Sequence, residues 1–137
     1  MGKQHIVLEW FDDTRQILFV TFQNGWEWKE FNTALDQIEL MLDQSDNRVV
    51  IIFDIQSVSK VPLNIIKEGK QVFARTPHAQ LDSLIITGSN QLLDAVFRAF
   101  QALLPSQSIN KWNIISLATL KEALEYASRH LLSSRQD

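Results

Sequence analysis

Residues 5–22 read "HIVLEWFDDTRQILFVTF", and whether a strand or a helix follows Asp13 decides the fold. Residues 5–11 and 16–22 are both β-branched and aromatic, while "DDTR" between them is polar. That pattern predicts a hairpin whose loop is longer than the tightest two-residue kind. Asn24-Gly25 breaks the second strand, since this pair readily supplies positive φ. From Trp28 the period changes: Trp28, Phe31, Leu35, Ile38 and Leu42 fall on one stripe, with Lys29, Glu30, Asp36 and Glu39 largely opposite. A helix is predicted there.

Further along, "RVVIIFDI" is an unbroken apolar run, as expected of a strand covered on both faces. A second helix opens after Pro62, with Ile65, Ile66, Gly69, Val72 and Phe73 on its apolar face, and "TPH" stops it. Gly69 in mid-helix costs about 1 kcal/mol relative to Ala, so it is expected to let the helix approach the sheet closely. "LDSLIITG" is a fourth strand, "SNQLLDAVFRAFQALLP" a third helix, with Ser89 or Asn90 as its cap, and "WNIISL" a fifth strand. Thr119 followed by Glu122 predicts a capping box for a last helix with Leu120, Leu124, Ala127 and Leu131 inward. The expected architecture is α/β: a mixed sheet, N-terminal hairpin first and then alternating β and α, packed by about four helices. It forms one domain over 1–137, with its core at about 5–132 and a frayed tail at 133–137.

Composition narrows the function. The 137 residues carry a net charge of −3 and no cysteine. Basic residues do not cluster on one face, which argues against nucleic acid as a partner. Without cysteine there are no disulfides, thiolate metal sites or cysteine nucleophile, and a cytoplasmic location is expected. The longest strongly apolar run, "VVIIF", is far too short to span a bilayer, and neither a signal peptide nor a myristoylation pattern opens the chain, so no membrane partner is expected.

The element order, with "FDIQSVSKVPLNII" at 53–66, resembles the STAS domain of bacterial anti-sigma-factor antagonists and sulfate transporters. The likeness covers about residues 6–132 and rests on layout. The family's signature, Asp-Ser-Ser-Gly-Leu at the start of the helix after the third strand, carries a phosphorylatable second Ser. Here Pro62, Leu63, Asn64 and Ile65 stand at its first four positions, and Ile66 approximates the Leu. Asn64 can cap a helix or bond a ligand but cannot accept a phosphoryl group. The resemblance thus implies a degenerate, regulatory protein-contact module lacking the usual phosphoswitch. Ser57 and Ser59 read as loop hydroxyls satisfying local backbone groups, or as substitute acceptors.

A two-component receiver is a competing reading, with Asp12-Asp13, Asp54 and Thr87 at strand ends around a magnesium ion. Against it, a strand follows Asp13, Lys111 precedes the last strand and Lys121 lies in the final helix. His5, His78 and His130 have no metal-ligand spacing, and no G-x-S-x-G elbow occurs, so no metal, cofactor or enzymatic activity is expected. His78, beside Pro77, reads as a solvated loop residue.

Two aromatic features point to contact surfaces. Trp26 lies off the first helix's stripe and is expected to staple against Phe31, or else to line a ligand cleft. In the third helix Leu92, Val96, Ala99 and Leu103 can serve the core, leaving Leu93, Phe97, Phe100 and Leu104 on a neighbouring face. That excess predicts a homodimer, a protein partner or a lipid-like ligand, unless the last helix or "PSQSINKW" covers it. The expected function is a non-enzymatic STAS-like module acting through the third helix and the 57–64 junction. The alternative is a carrier or sensor of a small apolar or anionic ligand held between sheet and third helix near Trp26.

Overall fold

In the computed structural model, which describes residues 4–88 and 90–135 and side chains as far as Leu131, the chain after Asp13 turns into a second strand. Strands β1 (Ile6–Trp10) and β2 (Ile17–Gln23) pair antiparallel, Ile6 opposite Phe22 and Trp10 opposite Leu18. Asp12 organises the turn by accepting the Thr14 N–H at 2.9 Å, and Phe11 N–H donates to the Ile17 carbonyl at 2.9 Å. Helix α1 (Trp28–Asp43), β3 (Val49–Ser57), α2 (Ile65–Ala74), β4 (Leu81–Thr87) and α3 (Gln91–Leu103) follow. The short α4 (Ser106–Asn110), β5 (Ile114–Leu117) and α5 (Leu120–Arg135) complete the chain. The fold is α/β, with five helices rather than about four. Helix α4 escaped the sequence reading because "SQSIN" is a single turn with one buried apolar residue, Ile109. Helix α5 continues through residues 133–135; 136 and 137 lie outside the described residues, as does Ser89.

The sheet runs β1-β2-β3-β4-β5, and from β2 onward every neighbour is parallel. The order never reverses, so no crevice opens between diverging strands of the kind doubly wound folds use for ligands. Side chains alternate between two faces. Leu18, Val20, Phe22, Ile51 and Leu84 pack with α1 and, through Val72 and Leu93, with α2 and α3. Ile17, Val50, Ile52 and Ile85 pack on the opposite face with Ala123, Ala127 and Leu131 of α5. Both faces of β3 are therefore covered, as its unbroken apolar run requires. The Asp82 carboxylate ties α5 to β4, meeting His130 Nε2 at 2.7 Å and Arg48 Nε at 3.3 Å. Thr119 Oγ1 accepts the Glu122 N–H at 3.1 Å, as the capping pattern predicts.

Candidate ligand cavity

Three crossover helices share one face, yet they do not sit on it equally. Helices α2 and α3 approach each other more than they approach the sheet. The cause is Gly69: a Cβ there would lie 2.2 Å from Phe100 Cζ, so the glycine accommodates the ring of α3. The expected close approach is real, but its partner is α3, not the sheet. Phe100 also meets Phe73 edge-on at 5.4 Å, and Phe73 meets Trp112 at 6.3 Å, where the Trp112 indole donates to the Phe73 carbonyl at 3.3 Å. Locked to one another, the two helices leave a cavity of about 420 Å³ beneath them. Its floor is Phe53, Leu84, Ile86 and Ile114 of the sheet, and its roof includes Ile65, Gly69, Val72, Leu93, Phe97 and Phe100.

The side wall comes from the "GWEWKEF" segment. Trp26 packs on Phe22 at 5.6 Å, on Trp28 at 5.0 Å and on Phe31 at 5.6 Å, and Trp26, Trp28 and Phe31 all line the cavity. Trp26 thus packs against Phe31, as the staple reading expects, and is also a wall of the cavity. Val58 and Ile65 line the cavity, and the 59–64 segment that joins them is tied down on both sides. Asn24 Oδ1 accepts the N–H groups of Ser59 (2.9 Å) and Lys60 (3.2 Å), and Trp28 Nε1 donates to the Leu63 carbonyl at 2.9 Å. On the far side Asn90 Nδ2 donates to the Val58 carbonyl at 2.9 Å, while its side-chain oxygen caps α3 by accepting the Leu93 N–H.

The chemistry of the lining is one-sided. Its charged or hydroxyl-bearing side chains are Asp94, Arg98 and Ser116, all exposed, which places the mouth by the carboxyl end of β5 and residues 94–98 of α3. The rest is aliphatic, aromatic or glycine. The cavity is open at this mouth, and its walls offer water few polar partners. An apolar occupant would cover apolar surface that is otherwise left to solvent.

Of the residues expected to carry function, Trp26, Leu93, Phe97 and Phe100 converge on this cavity. The division of α3 into two faces is corrected at three positions: Phe100 is buried at 6 % exposure, while Leu92 and Leu103, expected inside, are 43 % and 56 % exposed; Val96, also expected inside, does line the cavity, and Ala99 is half-buried. Both stripes are apolar at helical spacing, and Phe100 seated over Gly69 selects between them. Leu104 is half-buried outside the lining. The C-terminal helix does not cover α3, since α5 packs on the opposite face of the sheet. Ser57, Ser59 and Asn64 do not line the cavity. Ser59 Oγ accepts from Asn24 Nδ2 at 3.1 Å, so its partner is a side chain of another loop and not local backbone. Asn64 holds the N-cap position of α2 at φ 63°, a left-handed conformation Asn tolerates, without a side-chain capping bond. The contributions of Trp112 and Ser116 had no signal in the sequence, because cavity walls assembled from non-adjacent elements have no spacing.

The receiver geometry does not assemble. Ile17 pairs with Val50 and Thr21 with Asp54, so the 12–15 turn lies at the opposite end of the sheet from Asp54 and Thr87. Four residues of strand separate the ends by about 13 Å. Among the described residues no three His, Asp or Glu side chains gather as metal ligands. His78 is not a solvated loop residue: its Nε2 bonds Asp43 at 2.6 Å and its Nδ1 accepts the Gln80 N–H at 3.0 Å, joining the loop before β4 to the end of α1. One carboxylate is clearly perturbed. Burial raises the pKa of Glu30, but N–H groups of His5 (2.7 Å) and Ile6 (2.8 Å) and the His5 ring bond its carboxylate and hold it below the ordinary 4.5.

No helix among the described residues is long and apolar enough to cross a membrane. Comparison with protein-family models finds no match to this chain, and comparison with curated proteins finds none either.

Proposed function

We propose that this protein is a non-enzymatic carrier or sensor that holds a small, mainly apolar ligand between its sheet and helices α1–α3. The carrying observation is the cavity of about 420 Å³, walled by aromatic and aliphatic side chains, with its few polar groups at one mouth. Its size is within the ordinary range for ligand pockets. At about 30 Å³ per non-hydrogen atom, the share of a liquid water, the occupant has on the order of 15 such atoms. A cysteine-free chain suits a reducing, cytoplasmic setting.

The test is native mass spectrometry of the purified protein, followed by titration with the neutral probe N-phenyl-1-naphthylamine. Saturable one-to-one binding, with quenching of Trp26, Trp28 and Trp112, is expected. Val96→Trp, which fills the space from α3, should abolish it while preserving the melting temperature. A probe that never saturates, or one indifferent to Val96→Trp, refutes the reading.

A second reading, the STAS-like contact module without a serine switch, is favoured by the apolar surface at Leu63, Leu92 and Leu103, which are 87 %, 43 % and 56 % exposed. A stable dimer or protein complex formed without ligand supports it.

A further inference from the structure

Resting on the cavity reading, we infer that loop 58–64, which joins cavity-lining Val58 to Ile65, and the outer face of α2 dock on an anionic lipid bilayer, from which the cavity takes its ligand. Leu63 is the most exposed large apolar side chain among the described residues, at 87 %. It is not a loose tip: its carbonyl is held by Trp28, a cavity-wall residue, and the next residue is the N-cap of α2. Asn90 bonds Val58 of the same loop and so ties to it the start of α3, which carries exposed Leu92. Two exposed leucines therefore stand beside an apolar cavity at the carboxyl end of the strands.

Charge selects the occupant of this surface. The whole chain is net negative at −3, yet Lys60, Lys67, Lys70 and Arg98 project from this loop and these two helices, against the carboxylates of Glu68 and Asp94. Lys67 and Lys70 share a shallow groove on the outer face of α2 with Ile66 and Ala74, and Lys60, Lys67 and Lys70 have no ion-pair partner among the described residues. Lysines on the loop and helix that carry a protruding leucine match an anionic headgroup layer, in which the leucine enters the acyl region and the ammonium groups stay at phosphate level. A ligand apolar enough for this cavity partitions into that same layer. This departs from the expectation of no membrane partner, which rested on the lack of a span or lipid anchor and not on the surface.

The experiment is co-sedimentation of the full chain with vesicles of phosphatidylcholine alone or mixed with phosphatidylglycerol, alongside the solution probe titration. Binding to the mixed vesicles that weakens with salt is expected. Leu63→Ser should lower the partition coefficient about tenfold, and Lys67→Ala with Lys70→Ala about thirtyfold. Probe binding in solution should be unchanged in both variants, which also shows that they fold. Vesicle binding that is absent, or that ignores these substitutions, overturns the inference, as does a stable dimer that Leu63→Ser dissolves. Vesicle binding without any probe binding upholds the docking face and overturns the cavity reading, so the two failures are distinguishable.

Discussion

Phe100→Ala, compared with Leu103→Ala, tests the orientation of α3 and the roof of the cavity together. Phe100 is 6 % exposed, seated over Gly69 and edge-on to Phe73, whereas Leu103 is 56 % exposed on the same helix. Truncating a buried phenylalanine costs about 3–5 kcal/mol, and the upper half of that range applies where the surroundings cannot collapse into the gap. Here the neighbouring space is already open, so about 4 kcal/mol is expected. For a chain of this length that lowers the melting temperature by roughly 10–15 °C. Leu103→Ala should stay within about 0.5 kcal/mol, as exposed substitutions do.

Gly69→Ala completes the cycle. With Phe100 present, a Cβ lying 2.2 Å from Cζ must displace the ring. The overpacking cost of about 1–3 kcal/mol then outweighs the helix-propensity gain of about 1 kcal/mol. With Phe100→Ala in place, only the gain survives, so the two substitutions should couple by about 2 kcal/mol. Equilibrium urea unfolding measures each corner, with an unchanged m-value as the check that the folded state is intact. If Leu103→Ala costs more than Phe100→Ala, or the pair is additive, α3 presents its other face and the cavity as described does not exist.

Other perturbations test the supports of the site. Glu30→Gln should destabilise the protein by about 1–2 kcal/mol at neutral pH, because two backbone N–H groups lose a charged acceptor. A depressed carboxyl pKa gives stability that is present above the ordinary value of 4.5 and lost as pH falls through the lower folded-state value, so the gap between wild type and variant should close in that acidic window; a gap independent of pH refutes the assignment. Asn24→Ala removes the acceptor of the Ser59 and Lys60 N–H groups, and should speed tryptic cleavage after Lys60 several-fold while costing about 1–2 kcal/mol in thermal unfolding; unchanged cleavage contradicts the tethering. His78→Ala should cost about 1–2 kcal/mol by releasing the loop before β4 from Asp43, and a loss below a few tenths in urea unfolding counts against that tie.

The local signals were strong enough to name most of the fold. Two β-rich runs in residues 5–22 with a polar turn between them specified the hairpin, and the unbroken run before Asp54 specified a strand covered twice, since each depends only on neighbours along the chain. Trp26 and α3 were likewise marked as places where more apolar surface existed than one core requires. The facing of α3 was not readable, because both of its stripes carry apolar residues and a helix alone gives no reason to prefer either. Gly69 against Phe100 makes that choice, across two elements separated by a strand. The cavity follows from the same contact: it is the space left when two helices pack on one another more tightly than on their sheet, a balance that exists only once all the layers are in place.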